Sequence, residues 1–413
     1  MAELFKALTV EAAREILTRH LPSMRPAVRV PLLESLGLCL AVDVRAAEDV
    51  PGFNRSTMDG YAVRAKDTYG ATEGMPSYVD VCGEVLMAGE AAGGTGVGQA
   101  WRIPTGGMLP PGADAVVMVE YTEELDGRTI GITRPAAPGE NVVRRGEDVA
   151  TGEVVLPEGH RIRPQDLGIL AAVGVTGVEV TEATRVGIIS TGDELVGPEE
   201  RPGPAQVRDI NSYSLYGAVA ACGGQGRLYG IVRDKYEELR ETLEQALREN
   251  DLVLLSGGSS VGTRDVASKV IDSMGEPGVL FHGIAVKPGK PTVGAVVQGK
   301  PVFGLPGHPV SAMVVFDLLV APLLRSGTYP AGGKEDVSEF PLWAVITRSL
   351  RSAAGREDFI PVKLYKGAGQ IYADPVLGKS GLIATMVKAN GLARIPAGKE
   401  GVEAGQAVEA KLF

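Results

Sequence analysis

The chain reads as an α/β multidomain protein, with an N-terminal part that carries an inserted β-rich module, a central doubly wound α/β domain and a small C-terminal β-barrel. Three observations predict this. After Thr184, apolar strand-like runs alternate with amphipathic helical segments, the pattern of a mainly parallel sheet covered on both faces. Between about Pro51 and Pro138 the texture is different: short apolar runs such as Ala115-Val116-Val117-Met118-Val119 are broken by Gly93-Gly94, Gly106-Gly107 and Pro110-Pro111-Gly112. From Phe340 to Phe413 short strands lie between glycine-containing turns, which fits a small barrel or a sandwich. The domains so drawn are 1–183, with the module at about 51–140, then 184–328 and 336–413.

Taken in order, the first element is a helix from Val10 to His20, because Ala13, Ile16, Leu17 and Leu21 recur at helical spacing and Thr9 can cap it. Helical periodicity returns at Arg163 to Val173, where Pro164 suits a first turn. Val186 to Ile189 is a strand, and Asn211 is placed to cap a helix ending at Gly223-Gly224. Arg227 to Val232 is the next strand, and Asp234 with Glu237 has the spacing of a capping box before a helix whose apolar face is Leu239, Leu243, Ala246 and Leu247. Leu252 to Leu255 is a buried strand, Val266 to Met274 a helix, Val302 to Leu305 a strand and Val310 to Leu324 a long apolar helix. Ser326 to Asp336, rich in Gly and Pro, reads as a linker.

Composition narrows the function classes. With 41 basic against 51 acidic residues the net charge is −10, and no block of lysine and arginine offers a surface for nucleic acid or an anionic membrane. Cys39, Cys82 and Cys222 lie far apart, so neither a disulfide framework nor a structural zinc site is expected. The segment Met1-Ala2-Glu3-Leu4-Phe5-Lys6 has no basic and apolar leader pattern, and no apolar run approaches a membrane span of roughly 20 residues. The expectation is a soluble, cytoplasmic protein with no nucleic-acid or membrane partner. His20, His160 and His282 have no metal-ligand companions at suitable spacing and read as surface or packing residues. Gly378-Lys379-Ser380 lacks the first glycine of a P-loop and reads as a turn.

Four motifs carry the chemistry: Ser190-Thr191-Gly192-Asp193-Glu194-Leu195, Ser256-Gly257-Gly258-Ser259-Ser260-Val261-Gly262, Lys287-Pro288-Gly289-Lys290-Pro291 and Leu305-Pro306-Gly307-His308-Pro309-Val310-Ser311. Three directly follow strands, where an open α/β sheet places its ligand. The glycine-rich loop offers backbone N–H groups and hydroxyls to a phosphate, or else is only a tight turn. Asp193 and Glu194 suit a hard divalent cation, or else cap their turn. Lys287 and Lys290, held apart by Pro288-Gly289, can neutralise a polyanion or form a solvated turn. In the N-terminal part, Asp59 follows Asn54-Arg55-Ser56-Thr57-Met58, Asp148 follows Arg144-Arg145-Gly146-Glu147, and Thr105-Gly106-Gly107 precedes a strand. By chemistry alone those two acids are turn residues or partners of the nearby arginines.

As an ordered set these motifs resemble the molybdopterin molybdenumtransferase (MoeA) family, related to the gephyrin E domain, over nearly the whole chain. The resemblance implies an α/β domain that binds the pterin nucleotide and an elongated homodimer with composite active sites. It further implies Mg2+-assisted insertion of molybdate or tungstate into adenylylated molybdopterin, with release of AMP. It assigns Glu194 and Asp265 to the metal and reaction centre, with Asp59 and Asp148 completing it. Ser256, Gly257, Gly258, Lys290, Pro306 and Gly307 hold nucleotide and pterin phosphate, and Thr105, Ser190, Thr191, Gly192, Asp193, Ser259, Lys287, His308 and Ser311 complete the binding set. Transient contact with other cofactor-biosynthesis proteins or apo-molybdoenzymes is also implied.

The chain departs from the family pattern in two places: His308 stands where asparagine is common, and Gly283 where several members carry lysine. Gly262-Thr263-Arg264-Asp265 is similar to the sister adenylyltransferases. A molybdopterin adenylyltransferase and a non-catalytic scaffold are the alternatives; the long N-terminal part argues against the first and the retained acids against the second.

Overall fold

The computed structural model describes residues 7–21, 27–257, 266–326 and 340–413. They fall into two compact units, one of Arg29–Leu36 with Leu40–Val180, the other of Met1–Val28, Gly37–Cys39 and Thr181–Phe413. The linker expected at Ser326 to Asp336 lies almost wholly outside the described residues.

The first unit contains the β-rich module as a six-stranded sheet in the order Ala115–Met118, Gly60–Val63, Gln99–Ile103, Ser77–Glu84, Thr129–Ile132 and Thr122–Asp126. Alternation along the strands puts Tyr61, Val63, Val117, Ile130 and Ile132 into one core, and Ala62, Trp101, Ile103 and Val116 into another. A helix from Pro164 to Ala172 starts on its proline as expected. His160 is more than a packing residue, because its Nε2 lies 2.6 Å from Asp166, which also accepts from the Arg163 backbone and guanidinium. The Arg163 guanidinium, with His160, holds the Asp166 carboxyl far below the usual carboxylate range.

The second unit is built on a six-stranded sheet in the order Gln225–Val232, Arg185–Thr191, Leu252–Ser256, Lys300–Leu305, Val293–Val297 and Pro277–His282. The first four strands are parallel; Val293–Val297 and Pro277–His282, which periodicity did not reveal, complete one edge through antiparallel pairings, so that of the six only Val293–Val297 is reversed. Apolar residues alternate between two cores. Val186, Ile188, Leu252 and Leu254 face the helices Val10–His20, Asn211–Ala221 and Pro309–Val315; Ile189, Val253 and Leu255 face Tyr236–Glu249 and Val266–Ser273. Both faces being covered is why these strands read as continuous apolar runs.

Two capping expectations are overturned. Asn211 is the first helical residue rather than the cap, and the Ser212 backbone N–H and hydroxyl donate instead to Asp209 at 3.2 and 2.5 Å. The helix after Asp234 is capped at Lys235 without a side-chain bond, and the Asp234 carboxylate is taken by the Thr191 hydroxyl at 2.5 Å. In both places partners at the strand ends take the side chain, Ser256 and Gly307 for Asn211 and Thr191 for Asp234.

The long apolar helix runs from Pro309 through a π turn at Phe316–Val320 to Ala321–Ser326. Pro322 has no N–H for the carbonyl four residues back, Leu318. The Arg14 guanidinium fills that place, with Nε and Nη2 at 3.0 and 2.5 Å from the Leu318 oxygen. Beyond it, Glu357–Gly367, Gln370–Pro375, Leu342–Ile346, Ala407–Leu412 and Gly391–Ile395 close into a five-stranded barrel, the last strand pairing back to the first. Val286–Lys287 adds itself in parallel to the start of that barrel at Glu357–Asp358.

No helix among the described residues is long and apolar enough to cross a membrane. Leu254 is fully buried at the centre of the sheet, so Leu254→Ala is expected to cost about 2–5 kcal/mol in urea denaturation. Val207→Ala, at a position 52% exposed, is expected to stay within about 0.5 kcal/mol.

Candidate functional site

Register brings three of the motifs to one edge. Ser190 pairs with Ser256, and Ser256 with Leu305, so the loops leaving these adjacent parallel strands emerge side by side. They open onto a cleft of about 1550 Å³ in the second unit. Thr191, Gly192, Asp193 and Glu194 line it from the first loop, Ser256 and Gly257 from the second, and Pro306, Gly307, His308 and Ser311 from the third. Lys287 and Lys290 line it from the segment stitched to the barrel, and the barrel adds Arg351, Arg356, Lys379 and Ser380.

The floor is made by close backbone packing. Gly257 has φ +110°, and a β-carbon there would lie 2.0 Å from the Thr191 carbonyl oxygen. The Gly257 N–H donates to Leu305 O at 3.2 Å, and Gly307 sits against the Gly257 Cα. Asn211 spans the loops, its Nδ2 donating to Ser256 Oγ at 2.7 Å and to Gly307 O at 2.9 Å. On the far wall His308 Nδ1 lies 2.9 Å from Ser380 Oγ, and Val310 N–H donates to Ser380 O at 3.1 Å. The imidazole thus meets the barrel turn, which is how this chain uses the position.

Charges divide between the walls. The Glu194 carboxylate is exposed, folds back toward the Gly192 Cα and makes no ion pair among the described residues. The Asp234 backbone N–H reaches Asp193 at 3.4 Å. Opposite, the buried Asp358 sits between Arg356 at 3.0 Å and Lys287 at 3.7 Å, so part of the Lys287 charge is already answered. Lys290 is exposed and has no ion pair among the described residues.

Some expected site residues are elsewhere. Ser190 is fully buried beneath the floor, off the lining, and its hydroxyl has no partner among the described residues. Gly258, Ser259 and Asp265 lie outside the described residues. Asp59, Thr105 and Asp148 belong to the first unit. There the Thr105 backbone N–H donates to Asp59 Oδ1 at 2.7 Å, and this bond, with the Thr105 hydroxyl, lowers the Asp59 pKa, so the group is an anion at neutral pH. Asp148 is exposed on the strip after Val142–Val143, which pairs with Arg55–Ser56 just ahead of Asp59. Sequence reasoning missed Asn211, Asp209 and Asp234 as cleft residues, since each has a sufficient local explanation as a cap.

Family descriptions cover the chain in three blocks: the MoeA N-terminal region (domain I and II) over 8–174, a probable molybdopterin binding domain over 187–326 and the MoeA C-terminal region (domain IV) over 344–413. The chain belongs to the MoeA, molybdopterin molybdenumtransferase, family. Relatives include a putative molybdopterin biosynthesis protein of Methanocaldococcus jannaschii, 35% identical over 97% of this chain and 95% of its own length. Molybdopterin molybdenumtransferase 2 of Mycobacterium tuberculosis is 36% identical over 94% of this chain and 95% of its own. The crystal structure of a molybdopterin biosynthesis MoeA protein from Pyrococcus horikoshii matches with TM-score 0.82 and 33% identity, covering 99% of this chain and 100% of that one.

In this MoeA-family chain Gly257→Ala must lift the loop off Thr191, and the expected loss of stability is at least about 1–3 kcal/mol in urea denaturation. Gly307→Ala meets nothing closer than 3.7 Å and should stay within about 0.5 kcal/mol. Equal losses at the two positions would contradict this account of the floor.

Proposed function

We propose that the protein inserts molybdate, or the equally shaped tungstate, into adenylylated molybdopterin with release of AMP, in the cytoplasmic synthesis of molybdenum cofactor. The observation that supports it most is the convergence of three strand-end loops on one cleft whose facing wall carries Lys287 and Lys290. Family membership supplies the substrate class.

The residues divide the work by charge. Gly257 and Ser256 present close backbone and a hydroxyl to the phosphates, Lys290 and Lys287 attract the oxyanion, and the narrow floor orients the two reactants together. A magnesium ion fits the donors present, since it typically takes one or two protein carboxylates and completes its shell with phosphate oxygens and water. Glu194, exposed in the cleft, is such a carboxylate, and no ready-made cage of three His, Cys, Asp or Glu side chains exists among the described residues. When bound, the ion offsets charge on the pyrophosphate link.

The purified protein is expected to release AMP from adenylylated molybdopterin only with a divalent cation and molybdate or tungstate present; release no greater than in enzyme-free buffer would sink the reading. Glu194→Gln keeps the shape and removes the charge, and turnover should fall by about 10² to 10⁴ with folding intact. Near-normal activity in that variant would make Glu194 a turn residue. The family resemblance also supports a homodimer whose sites each draw acids from two chains. Mixing inactive Asp59→Asn and Glu194→Gln homodimers, with exchange verified by mass, should then restore about a quarter of wild-type turnover. Exchange without recovery would contradict shared sites.

A further inference from the structure

We propose that Asn211 is a positioning residue that fixes the direction of the Ser256 hydroxyl, making it a dedicated hydrogen-bond donor to an anionic oxygen of the ligand. The inference rests on the reading of the cleft as a site for a phosphate-bearing nucleotide.

The geometry leaves little freedom. Asn211 and Ser256 are 8% and 2% exposed, and both line the cleft. One nitrogen, Asn211 Nδ2, reaches both Gly307 O at 2.9 Å and Ser256 Oγ at 2.7 Å. A carbonyl oxygen only accepts, so the amide nitrogen and not Oδ1 must face Gly307. That nitrogen in turn only donates. Ser256 Oγ is therefore an acceptor toward Asn211, and its own hydrogen has to point elsewhere. Among the described residues no acceptor takes that hydrogen. A buried hydroxyl whose hydrogen is unplaced is poorly satisfied alone and best satisfied by a charged oxygen.

The start of the helix bears the cost of this arrangement. Asparagine is among the best residues for capping a helix through its side-chain oxygen. Here the side chain is turned across the strand ends, and Asp209 takes over the capping of Ser212. A local preference given up at the rim of a cleft is a mark of function. The consequence is selectivity: the hydroxyl at this point rewards a deprotonated phosphate oxygen and offers less to a neutral group that would itself donate.

The test is binding of AMP and of adenosine, by isothermal titration calorimetry, to wild type, Asn211→Ala, Ser256→Ala and the double variant, each checked for folding by urea denaturation. Ser256→Ala should weaken AMP about 10- to 100-fold, the range for a hydrogen bond to a charged group, and Asn211→Ala about 3- to 10-fold. Adenosine should change by less than about 2-fold in each, and Asn211→Ala should have no further effect on AMP once Ser256 is alanine. An equal effect of Asn211→Ala with and without the hydroxyl would overturn the inference, as would unchanged AMP binding in Ser256→Ala. If Asn211→Ala does not fold, Asn211→Asp serves. Its added charge repels AMP alike in both backgrounds, so a larger loss with Ser256 than with alanine supports the reversed hydroxyl and equal losses refute it. Wild-type protein that binds neither AMP nor adenosine would overturn the nucleotide reading, and this inference with it.

Discussion

At the carboxyl edge of the central sheet the loop leaving Ser256 passes so close to its neighbour that a β-carbon on residue 257 would lie 2.0 Å from the Thr191 carbonyl oxygen. The cleft depends on that approach. With no side chain between them, the ends of three parallel strands form a wall of backbone that a ligand can approach closely. The approach is maintained from both sides: the Gly257 N–H is bonded to Leu305 O, and Asn211 ties Ser256 to Gly307. Buried strands on either side hold the register, with apolar cores above and below the sheet.

A rigid floor needs an equally placed opposite wall. Within the same unit the barrel is joined to the α/β domain through unlike contacts. Val286–Lys287 extends the barrel sheet, Ser380 receives both His308 and the Val310 N–H, and Lys411 pairs with Asp317 on the π turn while lying over the Phe340 ring. The π turn itself is steadied by Arg14 at the carbonyl that Pro322 leaves without a donor. The first helix, distant in sequence, thus stiffens the element that anchors the barrel.

A chain of net charge −10 that is to hold anions has to concentrate its positive potential. It does so by segregation. Glu194 and Asp193 sit on the rim of the first loop, while Lys287, Lys290, Arg356 and Lys379 line the cleft from the other side. Asp358, buried between Arg356 and Lys287, moderates those two, whereas Lys290, Lys379 and Arg351 have no ion pair among the described residues.

The amino-acid sequence by itself determined the layers. Apolar runs at Val186 to Ile189, Leu252 to Leu255 and Val302 to Leu305 became adjacent parallel strands, and the Leu239 to Leu247 stripe became a buried helix face, because burial on two faces or on one stripe leaves a periodic record. It also determined which loops meet at the cleft, since a parallel sheet sends every strand's exit to one edge. Tertiary structure decided what individual polar residues do there. Asn211 and Asp234 have locally sufficient uses as caps, and only the proximity of Ser256, Gly307 and Thr191 turns their side chains away from those uses. The antiparallel pairings at the sheet edge and the His308 contact with Ser380 were hidden for the same reason: each is set by a partner remote in sequence, and short-range pattern carries no trace of a remote partner.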